Sequence, residues 1–195
     1  NFNEKNYATA AYYFDRFTKN YPNSSKKEEG AFLSAYSYKL ASPIFSLDQL
    51  DTNKALVAFQ MFIDEYPDSE RVVEANQHYR ELQLKLETKA FEIGKTYYKT
   101  ALTDFRNYKS AIVAFDNLIN DYLGSELKEE ALYYRFKAYH DLVIVSTERK
   151  KPTRIKDAFA AYDKLKRNFP ESKFLKDSDK LLSEIKNEQK QLVKS

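Results

Sequence analysis

The stretch ALVAFQMFIDEYPDS, Ala55–Ser69, decides the fold. It sets a small residue at Ala55, an aromatic four on at Phe59, an apolar residue three on at Phe62 and an aromatic four on at Tyr66. Steps of four, three and four place these side chains on one face of an α-helix. Pro67 then stops the helix, because proline cannot donate to the ladder and pushes its predecessor out of helical geometry. The same phrase recurs as AAYYFDRFTKNYPNS (Ala10–Ser24), AIVAFDNLINDYLGS (Ala111–Ser125) and AFAAYDKLKRNFPES (Ala158–Ser172). Its leading aromatics, Phe14, Phe59, Phe115 and Tyr162, lie 45, 56 and 47 residues apart. A period in this range predicts stacked helical pairs. Such a stack is a surface for holding other proteins, so function is sought in binding before catalysis.

In each phrase the small residue lets a neighbouring helix approach, and the aromatics fill the space between helices. Pro22, Pro67 and Pro170 end three copies, and Ser24, Ser69 and Ser172 are expected to cap the helices that follow. The third copy has Leu123-Gly124 instead, where Gly124 is expected to take the left-handed cap conformation. Between the phrases, partner helices are predicted over 28–40, 70–99 and 126–145. The 70–99 pattern is long enough for one helix or for two in line. A closing helix over 172–191 carries Leu175, Leu182 and Ile185 on one side and polar residues on the other, as a terminal cap should. Residues 1–7 read as the turn before the second helix of a pair whose first helix is missing. The whole of 1–195 is expected to form a single repeat domain. Two connections, 41–53 and 146–155, exceed a minimal turn, and 101–106 is a third insertion. Loops of this kind are either functional or tolerated surface insertions.

The composition suits a folded protein: 195 residues, 43% hydrophobic and 31% charged, with three Gly and five Pro. A net charge of +3 with interleaved signs gives no argument for nucleic acid. Without cysteine there are no disulfides or thiolate metal sites. The longest aliphatic run, Leu142–Val145, is far too short to span a membrane.

His78 and His140 have no metal-ligand spacing, and His140 and Asp141, adjacent on a helix, are expected to face different ways. Gly30, Gly94 and Gly124 form no phosphate loop. Glu28-Glu29 and Glu129-Glu130 sit in first helical turns, where they complement the macrodipole. No catalytic residue, cofactor or metal is implied, and the chain is not expected to be an enzyme.

One local charge run stands out, Arg149, Lys150, Lys151 and Arg154. It is read as a solvated loop, or as a docking patch for an acidic partner or anionic headgroups. It lacks the interleaved aromatics of a nucleic-acid platform.

The phrase resembles the second helix of a tetratricopeptide pair. The surrounding residues are similar to a particular family. Lys39–Pro43, Leu47-Asp48, Asp51-Thr52 and Lys54–Leu56 lead into Phe59, Phe62, Tyr66, Pro67 and Ser69. Leu84, Leu86-Glu87, Gly94, Tyr97–Lys99, Tyr108 and Ala111-Ile112 follow. Together they resemble the BamD family of outer-membrane assembly lipoproteins over residues 1 to about 190. The resemblance implies an all-α, right-handed superhelix of tetratricopeptide-like hairpins without catalytic residues. It implies a place at the periplasmic face of the outer membrane, held on the inner leaflet through an N-terminal lipidated cysteine that this sequence does not contain. The implied partners are the POTRA region of a BamA-type barrel, unfolded outer-membrane proteins and accessory assembly subunits. The alternative is a tetratricopeptide adaptor for other cell-envelope or cytosolic complexes. Departures from the family pattern are the extra residues 101–105, Leu123 in place of proline, and the 149–154 run.

In such a superhelix the first helices of the pairs line a concave groove. Aligning Ala35, Gly94 and Ala138 as close-approach positions places Phe32, Phe91 and Arg135 in one row, Tyr36, Lys95 and Tyr139 in a second, and Lys39, Tyr98 and Leu142 in a third. Phe32, Tyr36, Lys39, Phe91, Lys95, Tyr98, Arg135 and Tyr139 are therefore the candidate groove. Its aromatics and cations suit an extended aromatic-rich peptide with a free carboxylate, although an added layer of core would show the same residues.

Overall fold

The computed structural model describes residues 6–192, so most of the turn expected over 1–7 lies outside the described residues. Among the described residues eight helices follow one another: α1 (Tyr7–Asn20), α2 (Lys27–Ala41), α3 (Leu50–Glu65), α4 (Val72–Thr100), α5 (Asn107–Asp121), α6 (Lys128–Ile144), α7 (Lys151–Asn168) and α8 (Leu175–Leu192). No strand occurs among the described residues. The phrases form α1, α3, α5 and α7, and the fold is all-helical and tetratricopeptide-like. The 70–99 pattern is one helix, α4, 29 residues long.

The chain divides into two compact units, 1–86 and 87–195. In the first, α1 packs on α2 and α2 on α3. Its core gathers Phe32, Ala35, Ala55, Phe59, Phe62, Ala75 and Leu82. In the second, α5 packs on α6, α6 on α7, and α8 on both α6 and α7. One core cluster there centres on Phe91, Phe115, Leu118 and Leu132, another on Phe136, Tyr162 and Ile185. Ala35 and Ala138 have no exposed surface. A Cβ on Gly94 would sit 2.6 Å from Cε1 of Phe115.

The phrases end alike, with or without proline. Tyr21, Tyr66, Tyr122 and Phe169 leave their helices at φ between −124° and −138° and ψ between 59° and 75°. Each donates its N–H to the carbonyl four residues back. Gly124 is not left-handed, contrary to expectation, because this shared aromatic exit already turns the chain. The serines also act two residues before the N-cap position expected of them. Ser24, Ser69, Ser125 and Ser172 each accept the N–H two residues on, at 3.1–3.2 Å. That bond closes the turn before the helix, and helices α2 and α6 begin three residues after the serine. Two of these hydroxyls also donate, Ser69 to Glu28 (2.5 Å) and Ser125 to the buried Glu87 (2.7 Å). Glu28 thus binds a serine from a loop 41 residues away as well as sitting in a first turn.

The closing helix begins at Leu175, with Ile185 fully buried beneath it. Its acidic residues clasp the helices below. Tyr133 donates to Asp177 (2.6 Å), Tyr162 to Asp179, and Lys151 pairs with Glu188. Burial and then the Asp179 carboxylate push the Tyr162 phenol up to about 12.

Candidate functional site

On the first unit, the candidate groove residues come from α2. Phe32 is a core residue, edge-on to Phe59 at 6.1 Å and Phe62 at 5.4 Å, with the Arg71 guanidinium 4.8 Å over its ring. Tyr36 is half-buried with its ring 5.3 Å from that of His78. The Lys39 ammonium lies 2.6 Å from Glu81 Oε2 and 2.6 Å from Nδ1 of His78. The Lys39 hydrogen bond holds the Glu81 carboxyl below its usual range.

Beside Lys39, two residues of the family resemblance, Ser42 and Thr52, build a polar staple with Lys85 and Gln49. Lys85 donates to Ser42 Oγ (2.7 Å), and Ser42 shares a 2.5 Å hydrogen bond with Thr52. Thr52 donates to Gln49 Oε1 (2.7 Å), whose amide donates to the carbonyls of Ile44 (2.8 Å) and Leu47 (2.9 Å). Gln49 and Thr52 are buried, so each needs these partners. The 42–49 stretch of this connection is therefore a built loop, with Ile44 exposed on it and Leu50 exposed at the start of α3. Burial, and after it the charge of Lys39, pulls the Lys85 ammonium down from its ordinary value.

On the second unit, Phe91 is buried against Phe115 (5.8 Å) and Tyr134 (5.9 Å). Lys95 pairs with Glu92 at 3.1 Å and lies 5.3 Å over the Phe91 ring. Arg135 pairs with Asp116 at 2.7 Å and lies 5.1 Å over the ring of Tyr139. Each of the three groove cations thus has a carboxylate neighbour, Glu81, Glu92 or Asp116. The phenol of Tyr98 donates to Asp141, and burial, then that carboxylate, raises it far above an ordinary tyrosine.

His140 and Asp141 do not diverge. His140 Nδ1 is 2.8 Å from Asp141 Oδ1, and Nε2 is 2.8 Å from Glu184 Oε2 on α8. The ring is 5% exposed. Asp141 bends back because its carboxylate bridges Tyr98 and His140, which gains two hydrogen bonds for one acid. Burial pulls the imidazole down, but Asp141 and Glu184 outweigh it, and the net shift is upward. No signal in the spacing announced this chain, because Tyr98 and Glu184 lie 43 and 44 residues from their partners.

The basic stretch is not all loop. Lys151 and Arg154 belong to the first turns of α7, with Pro152 among its first residues, where proline is tolerated. Lys151 is committed to Glu188. Arg154 Nη1 donates to the carbonyl of Leu142 (3.3 Å) and to Ser146 Oγ at the end of α6. Arg149, Lys150 and Arg154 meet Lys109 of α5 around a cleft of about 510 Å³. The sequence reading missed Lys109, the one cation of its helix, about 40 residues from the basic stretch. Among the described residues, no group of three or more His, Cys, Asp and Glu side chains is placed to hold a metal, and no helix is long and apolar enough to cross a membrane.

Comparison with known proteins adds two findings. Residues 1–151 match the family described as YfiO, outer membrane lipoprotein. The outer membrane protein assembly factor BamD of Caulobacter vibrioides is 28% identical over 178 residues, which cover 91% of this chain and 53% of that protein. The chain thus spans about half the length of the curated relative it matches.

Proposed function

The chain belongs to the YfiO family of outer membrane lipoproteins, and we propose that it serves as a non-catalytic scaffold in outer-membrane barrel assembly. In this reading it works at the periplasmic face, held to the membrane by an N-terminal lipid. It binds the POTRA region of a BamA-type barrel, receives unfolded barrel proteins, and offers further surface to accessory subunits. The observation that carries the reading is the family match over 1–151, supported by the 42–49 loop, where Ser42 and Thr52, two residues of the family resemblance, bond to each other and Thr52 bonds to Gln49. A loop so stapled is a rigid platform, the kind of segment on which recognition surfaces are built.

The test is an affinity pull-down of the tagged full-length protein from outer membranes in mild detergent, read by mass spectrometry. A BamA-type barrel recovered in near-stoichiometric amount is the expected result. Recovery of cell-wall or soluble partners without the barrel would overturn the reading and leave a repeat adaptor with a different task.

A further inference from the structure

The cleft of the second unit has the makings of a binding site that the assembly reading does not assign. Lys109, Arg149, Lys150 and Arg154 surround it, against a single carboxylate, Asp157. Ile112, Val113, Tyr139 and Leu142 supply apolar lining. Among the described residues, the side chains of Lys109, Arg149 and Lys150 make no hydrogen bond or ion pair, unlike Lys39, Lys95 and Arg135. Like charges gathered without partners repel one another, and an anion relieves that cost. Arg154 is already oriented, because the end of α6 holds one edge of its guanidinium. A fixed guanidinium is suited to a planar carboxylate. The start of α7 adds its positive end to the same mouth.

We propose that this cleft binds a linear acidic segment of a protein partner, in which a carboxylate side chain neighbours an apolar one. The carboxylate sits among Arg149, Lys150 and Arg154, and the apolar side chain lies on Ile112, Val113 and Leu142. The apolar lining favours a peptide over a bare phosphate or headgroup, which would leave it wet. The cleft volume falls in the range of sites that take a small ligand or a few side chains. The proposal goes beyond the assembly reading and holds whether or not that reading does, since it concerns a defined peptide and this chain alone.

Fluorescence anisotropy with a labelled eight-residue peptide of alternating Glu and Leu tests it, beside a Lys-Leu peptide of equal length. Wild type binds the acidic peptide and not the basic one, and binding weakens as salt rises. The double variant Arg149→Glu, Lys150→Glu loses at least about tenfold in affinity, as a removed pair of charge contacts should cost. Val113→Ser loses severalfold. A control of equal charge change on α8, Lys176→Glu with Lys180→Glu, neither of which lines the cleft, stays within about twofold of wild type; circular dichroism melts check that all variants fold. The proposal is overturned if wild type does not prefer the acidic peptide, or if the control loses as much as the cleft variant. Binding to phosphatidylglycerol vesicles without binding to the peptide would also overturn it and assign the cleft to lipid.

Discussion

The first and third phrases are written in the same pattern and are buried to different depths. In α5, Phe115 and Leu118 have no exposed surface, while in α1 the equivalent Phe14 and Phe17 are half-buried. Phe115 lies between Phe91 and Gly94 of α4 on one side and Tyr134 of α6 on the other. Phe14 and Phe17 line an apolar cleft of about 420 Å³ with Tyr13, Gly30 and Leu33. A phrase therefore does not bury its own aromatics. It supplies a face, and a helix on each side must seal it.

Truncating the aromatics should break the equivalence most visibly. Phe115→Ala removes a fully enclosed ring and is expected to cost about 3–5 kcal/mol. Phe14→Ala removes a ring that water already reaches and should cost about 1–1.5 kcal/mol. Urea unfolding of the two variants decides it. Equal losses would mean that α1 is sealed as completely as α5.

The helix glycines sharpen the contrast through its steric side. A Cβ at Gly94 meets three atoms of the Phe115 ring at 2.6–2.9 Å, and that ring has nowhere to go. Gly94→Ala is expected to destabilise by about 1–3 kcal/mol. At Gly30 the nearest atom is Cδ1 of Phe17 at 3.0 Å, on a ring with open space beside it. Alanine also favours a helix over glycine by up to about 1 kcal/mol, so Gly30→Ala should come out near neutral. Thermal melts of the pair read the sign directly.

These contrasts mark how much the sequence disclosed. The spacing Ala55, Phe59, Phe62, Tyr66 is a local property of one helix, and its copies located α1, α3, α5 and α7. Gly94 lies where Phe115 leaves no room for a Cβ, and Ala35 and Ala138 are buried. The sealing of each face was not legible, because it depends on which helices meet it. Nor was the pairing of Lys39, Lys95 and Arg135 with Glu81, Glu92 and Asp116, since a cation on a helix face reads the same free or paired. The His140 chain was misread because adjacency on a helix was taken to separate two side chains that a third, Tyr98, draws together. The basic stretch was visible as charge, while its cleft needed α5, α6 and α7 at once.

The fourth phrase provides a reversible version of the comparison. Tyr162 and Leu165 of α7 are buried in a unit that α8 closes, and His140 bonded to Glu184 is one of its fastenings. The imidazolium is favoured in the fold, since its pKa there is raised above the unfolded value of about 6.5. Below that value the folded and unfolded chains both hold the proton, and the contribution to stability is complete. It is lost as pH rises from about 6.5 through the higher folded value. Raising the pH should therefore loosen α8 and make the fourth phrase more like the first. Hydrogen exchange in α8 is expected to quicken across that window in wild type, and the His140→Gln variant should lack this step. An equal pH response in both would show that His140 does not fasten α8.

The smallest effect concerns how a phrase ends. Proline follows the exit aromatic in the first, second and fourth copies and Leu123 in the third, yet Tyr122 leaves α5 with nearly the same backbone angles as Tyr21, Tyr66 and Phe169. The backbone bonds of this loop are donated by Tyr122 and Ser125, so the N–H of Leu123 is not spent there. Its side chain is 76% exposed, and nothing would be unpacked by its loss. Leu123→Pro should then be neutral or stabilising by up to about 1 kcal/mol, chiefly by restricting the unfolded chain. A loss of more than about 1 kcal/mol in urea unfolding would mean that the third exit differs from the others in a way its angles conceal. A gain would place the origin of the turn in the aromatic and the serine, with proline as a refinement added to a bend the chain already makes.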